Sequence, residues 1–109
     1  MNVKIYLKSK KNYIDAIATF NTDTKEVTVK KGSRVSGHVG QSEKFRGAAS
    51  VEKQREGSVK DKTVIKDVLF KSPSTAANFV TGTSTNGWVA WKTEKGESIK
   101  QAYSEGKNE

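Results

Sequence analysis

The side chains best suited to chemistry crowd into residues 70–92, FKSPSTAANFVTGTSTNGWVAWK. Ser72 and Ser74 flank Pro73, and Asn86-Gly87 precedes Trp88 and Trp91. A serine nucleophile needs a general base and an oxyanion hole. The chain has a single histidine, His38, set in the glycine-rich run RVSGHVGQSE with no periodic partner. Ser72 ahead of Pro73 reads equally as a helix N-cap followed by proline at the first helical position. A metal nuclease needs clustered carboxylates. Asp23-Thr24-Lys25, with Asp15 upstream, has an acid-x-lysine spacing, but Asp23 falls at a hairpin tip with no second acid beside it. The run GSRVSGHVG lacks the GK[ST] ending and the strand-loop-helix setting of a phosphate loop. The expectation is therefore a protein without a catalytic set, metal site or small-molecule cofactor.

Binding chemistry is better represented. The 109 residues carry 20 Lys or Arg against 12 Asp or Glu, a net charge of +8. The excess is uneven: residues 1–34 hold eight cations against three acids, residues 35–71 eight against five, and residues 72–109 four against four. A basic field of this kind draws polyanions, nucleic acid first among them. Lys4 and Lys8, Lys30 and Lys31, and Arg34 are the candidates for gripping phosphates, with Arg46 on a middle helix. The expectation is that the first sets converge into a cationic strip along one side of a sheet. Asn86 matches the N6 and N7 edge of adenine, and one of Trp88 and Trp91 could stack on an unpaired base while the other joins the core. Turn chemistry alone also accounts for Asn86.

The elements that would hold these residues follow from periodicity. NVKIYLK alternates, with Val3, Ile5 and Leu7 on one face and Lys4, Tyr6 and Lys8 on the other. SKKN turns the chain, and YIDAIATF is a second strand with Ile14, Ala16, Ala18 and Phe20 inward. After the turn NTDT, whose residues hydrogen-bond their own backbone, KEVTVKK is a third strand. Residues 34–43 read as a flexible loop, and SEKFRGAASVEKQREG as a helix from a Ser42 N-cap to a Gly57 stop. A polar connection leads to TVIKDVLF, read as one strand through Phe70. Ser72 and Pro73 start a helix that packs through Ala76, Ala77 and Val80 and stops at Gly82. Asn86-Gly87 predicts a type I′ turn into the strand WVAW, with Trp88 and Ala90 on one face and Val89 and Trp91 on the other. GESIKQAYSEG predicts a closing helix from Ser98 that packs Ile99, Ala102 and Tyr103, followed by a frayed tail at 106–109. The expected fold is one α+β domain over residues 1–109: a small antiparallel sheet, made of the N-terminal meander and two later strands, packed with two or three short helices. Without cysteine the chain suits a reducing, cytoplasmic setting, and no apolar run is long enough for a bilayer.

With these residues in view, the pattern F-x-S-P-S-x-A-A-x-F-V-x-G-x-S-x-N-G-W-x-x-W-K over residues 70–92 resembles a small bacterial domain of unknown function. That domain is found at the C-terminal end of GIY-YIG endonucleases and restriction-modification subunits. The pattern is also similar to the restriction-adenine-methylase-associated domain. VTVKKGSRV (27–35) and KTEKGESI (92–99) extend the match more loosely. A basic residue commonly follows the helix-ending glycine in that family, where this chain has Thr83. The resemblance makes Ser72, Pro73, Ser74, Ala76, Ala77, Gly82, Asn86 and Gly87 a structural signature. It implies a bacterial or phage accessory module with no catalytic mechanism of its own. The expected partner is DNA. The alternative is docking of the neutral SPS…NGW surface onto a nuclease or methylase subunit.

Overall fold

A computed structural model describes residues 1–37 and 48–103. Strand β1 (Asn2–Ser9) pairs antiparallel with β2 (Ile14–Asn21), β2 with β3 (Val27–Val29), and β3 with the late strand β6 (Val68–Phe70). Alternation decides the faces. Ile5, Leu7, Ile14, Ala16, Ala18, Phe20, Val27, Val29 and Phe70 are buried on one side, under helix α2 (Pro73–Thr81). Ala18 on the sheet and Ala76 and Ala77 on the helix are fully buried. Small side chains at these contacts let helix and sheet approach closely. The turn after β2 is held as its composition predicts, with the Asn21 carboxamide oxygen accepting from the N–H groups of Asp23 (2.9 Å) and Thr24 (3.1 Å).

The α+β class and the N-terminal meander match the reading of the sequence. TVIKDVLF does not form one strand. Its first part is β5 (Thr63–Val64), which pairs with β4 (Val59–Lys60) in a separate two-stranded sheet, and its last part is β6. The break is enforced by the segment after β3. Gly32, at φ 95°, turns the chain so that the Gly32 and Val35 N–H groups reach the Val64 and Lys62 carbonyls, and Val64 N–H reaches Ser33. Lys30 still pairs with Ile17, whereas Arg34 pairs with Asp15, so residues 31–33 bulge out of the ladder. Ser33 fills the gap: its buried hydroxyl accepts from Ile17 N–H at 3.0 Å and donates to Ile17 O at 3.1 Å.

Helix α1 (Ala48–Glu56) precedes β4. The expected start of this helix at Ser42, the loop residues 38–43, the candidate phosphate contact Arg46 and the tail at 106–109 lie outside the described residues. Helix α2 begins and ends as read: the Ser72 hydroxyl accepts from Thr75 N–H, Pro73 opens the helix, and Gly82 closes it at φ 76°. The type I′ turn and the strand WVAW are absent. Gly87–Ala90 form instead a short helix, α3, capped by the Asn86 side chain, which accepts from Trp88 N–H at 3.1 Å. The facing of the WVAW side chains changes accordingly. Trp91 is buried, Val89 is exposed, and Trp88 and Ala90 are half-buried. Beyond α3, Lys92 exchanges two 2.8 Å backbone hydrogen bonds with Tyr6 and so covers the outer edge of β1. Helix α4 (Ile99–Tyr103) starts with a reciprocal cap in which the Ser98 hydroxyl accepts from Gln101 N–H and Gln101 Oε1 accepts from Ser98 N–H.

Candidate nucleic-acid interface

The signature residues are spent on one internal joint. Trp91 Nε1 donates to Pro73 O at 3.1 Å, and Gly87 N–H donates to the Ser74 hydroxyl at 3.1 Å. Ser72 caps α2 and Asn86 caps α3. Pro73, Ala76, Ala77, Gly82, Gly87 and Trp91 are buried. Trp91 therefore cannot stack on a ligand. Trp88 packs edge-on against Phe20, with ring centroids 5.7 Å apart and an interplanar angle of 81°. Trp91 thus joins the core while half-buried Trp88 packs against its edge, and the Asn86 carboxamide oxygen faces its own backbone. Both signature serines are occupied as hydrogen-bond acceptors. Among the described residues, no three His, Cys, Asp or Glu side chains come together to hold a metal ion.

The cations occupy the face of the sheet opposite α2, and the register sorts them into ranks. Lys4, Thr19, Thr28 and Leu69 form the rank nearest the chain start. The middle rank runs Lys92, Tyr6, Ile17, Lys30 and Asp67. The rank nearest the β1–β2 turn runs Lys8, Asp15, Arg34, Thr63 and Lys60. The strip expected from Lys4, Lys8, Lys30, Lys31 and Arg34 is therefore interrupted by acids. Lys30 Nζ sits 2.9 Å from Asp67 Oδ2, and Lys31 N–H donates to Asp67 Oδ1 at 2.8 Å. Tyr6 is also occupied, its hydroxyl on Glu94 at 3.2 Å and its ring 5.4 Å from Lys8 Nζ.

Asp67 carries a testable consequence. The Lys31 N–H, followed by the Lys30 ammonium, holds its carboxyl below the ordinary carboxylate range. A depressed folded-state pKa stabilises the fold above the unfolded value of about 3.9, and that contribution disappears as pH falls through the lower folded value. The urea midpoint of the wild type should fall more steeply than that of Asp67→Asn as pH is lowered from about 5 to 2. Parallel curves for the two proteins would contradict this tether.

Charge instead concentrates beyond the last rank, at the tips of two hairpins. The β1–β2 loop brings Lys10, Lys11, Asn12 and Tyr13, and the β4–β5 turn brings Asp61 and Lys62. Lys62 lies over the Gly37 backbone, where an added Cβ would meet its Cε at 3.2 Å. A groove of 440 Å³ runs between the tips, lined by Lys11, Tyr13 and Lys62 together with Leu7, Ser9, Ile14, Thr81 and Thr85. A second concavity of 700 Å³, lined by Lys8, Lys10, Asp15 and Arg34, also borders Tyr13. Thus Lys8, Lys10, Lys11, Arg34, Lys60 and Lys62 gather at one end with Asp15 and Asp61.

The backbone at this end is strained. Tyr13 (φ 57°), Asp61 (φ 52°) and Lys62 (φ 65°) occupy the left-handed region, which costs a non-glycine residue about 1–2 kcal/mol. The loop position of Tyr13 suits glycine or asparagine, yet it carries an aromatic ring that is 76% exposed. Strain of this kind gathers at functional sites. The sequence reading assigned SKKN only to a turn and missed Tyr13, Lys60 and Lys62. The available signal was two short turns, KKNY and VKDK, each with paired lysines and no glycine.

Fold and surface together define a small α+β domain whose conspicuous motif joins α2 to α3 and whose hairpin end gathers six cations with two acids. No helix among the described residues is long and apolar enough to cross a membrane. The chain belongs to the family described as a domain of unknown function, DUF4357, whose family model matches residues 6–103. No curated protein and no solved structure matches it.

Proposed function

We propose that this domain is a non-enzymatic DNA-binding accessory module that grips the phosphate backbone with its hairpin end. The carrying observation is the gathering of Lys8, Lys10, Lys11, Arg34, Lys60 and Lys62 at one end with only Asp15 and Asp61, around two concavities that share an exposed aromatic ring. Clustered cations release condensed counterions from a nucleic acid, which makes affinity salt-dependent. The setting that fits, by resemblance of residues 70–92, is a restriction-modification, nuclease or phage-defence system in the cytoplasm of a bacterium. A second reading is docking onto a nuclease or methylase subunit. It draws on the open sheet face, where Leu69 is 61% and Ile17 39% exposed.

The test is fluorescence anisotropy with labelled DNA across a salt series. Binding should weaken linearly in log affinity against log salt. Lys11→Glu with Lys62→Glu should lower affinity about tenfold or more and reduce the slope by about two. Absence of binding at low salt, or a double variant that behaves as wild type, would overturn the proposal and leave the docking reading.

A further inference from the structure

Tyr13 is the one large aromatic side chain of the hairpin end, and it forms a wall of both basic concavities. One concavity is lined by Lys8, Lys10, Asp15 and Arg34, and the other by Lys11, Lys62, Thr81 and Thr85. From this placement, and resting on the DNA-binding reading above, we infer that Tyr13 stacks on an unpaired base of a single-stranded nucleic acid. The sugar–phosphate backbone passes from one concavity to the other around the ring.

Three observations support this assignment. In a duplex the base faces are hidden in the stack, so an exposed ring gains little from it beyond a terminal pair, whereas every unpaired base offers a face. The 440 Å³ groove is in the size range of pockets for single small ligands, so it suits a nucleotide and is far too small for a duplex. The ring is held out by a backbone conformation that suits asparagine or glycine better than tyrosine.

The experiment compares a labelled thymidine homopolymer strand with a blunt duplex, using the wild type, Tyr13→Asn and Tyr13→Phe. Asparagine keeps the left-handed backbone and removes the ring, so Tyr13→Asn should fold with a urea midpoint at least as high as that of the wild type. The wild type should bind the single strand more tightly than the duplex at equal salt. Tyr13→Asn should lose about tenfold in affinity for the single strand while keeping its salt slope, and its duplex binding should not change. Tyr13→Phe should stay within about twofold of wild type on both probes. The inference is overturned if Tyr13→Asn binds the strand as wild type does while Lys11→Glu with Lys62→Glu loses it. In that case the charge reading survives alone. Loss of binding to both probes in the wild type would remove the charge reading as well.

Discussion

Gly87→Ala is expected to destabilise the domain by about 3 kcal/mol, even though it places a better helix former inside a helix. An ideal Cβ at Gly87 would lie 2.0 Å from the Pro73 carbonyl oxygen, 2.1 Å from its carbon and 2.5 Å from Ser74 N. All three are backbone atoms of the first turn of α2, so no side chain can swing aside. Helix α3 would have to withdraw, which would break the bond from Gly87 N–H to Ser74 and that from Trp91 Nε1 to Pro73 O. Trp91, wholly buried in the core, would move with it. Intrinsic propensity alone predicts a gain of up to about 1 kcal/mol for the same change, so the sign of the result discriminates. A urea titration should show a lower midpoint with an unchanged slope. A midpoint equal to or above wild type would mean that α2 and α3 do not meet at this joint.

The second large effect is expected at Arg55, near the end of α1. Its guanidinium reaches four acceptors: Phe79 O from both Nε (3.0 Å) and Nη2 (2.6 Å), Val80 O at 3.3 Å, Ser36 O at 3.1 Å and the Ser36 hydroxyl at 3.1 Å. Phe79 and Val80 lie in the last turn of α2, where helix carbonyls have no intrahelical partner and a cation complements the dipole. Burial of the group lowers the guanidinium pKa from its usual value, but an arginine remains charged at neutral pH. One side chain thus ties α1, the end of α2 and the segment after the bulge. Arg55→Ala should cost about 2–3 kcal/mol in a urea titration, because hydrogen bonds to a charged group are the stronger class and the Phe79 carbonyl loses both donors. Arg55→Lys should recover less than half of that, since an ammonium lacks the planar fork that spans several carbonyls. A loss below about 0.5 kcal/mol for the alanine variant would show that the clamp is not formed in solution.

These two residues also mark where the sequence was readable and where it was not. The strands β1 and β2 and the caps of α2 are local: alternation at Val3, Ile5 and Leu7, and the order Ser72-Pro73 to Gly82, determine them within a few residues. Asn86-Gly87 is local too, but ambiguous. The same dipeptide serves a hairpin turn with positive φ or a helix N-cap followed by a residue without a side chain. The choice rests on the first turn of α2, where Ser74, thirteen residues before Gly87, accepts the Gly87 N–H and the Pro73 carbonyl leaves no room for a Cβ. TVIKDVLF has the composition of one strand, and only the bulge at residues 31–33 divides it between two sheets. The cationic end was hidden for a related reason. Lys8, Lys10 and Lys11, then Arg34, then Lys60 and Lys62 are far apart in sequence and meet only through the pairs Lys8–Asp15, Asp15–Arg34 and Arg34–Thr63. Conversely, the Lys30 ammonium, a phosphate-contact candidate in the sequence, is paired with Asp67, which the Lys31 backbone N–H also holds.

The account separates a motif that builds the fold from a surface that binds, and amide chemical-shift mapping during a DNA titration tests that separation most directly. Shifts should concentrate at residues 8–13, at Arg34 and at residues 60–63, and should leave Asn86, Gly87 and Trp91 Nε1–H in place. Shifts centred on residues 86–91 with a silent hairpin end, or none at low salt, would contradict it.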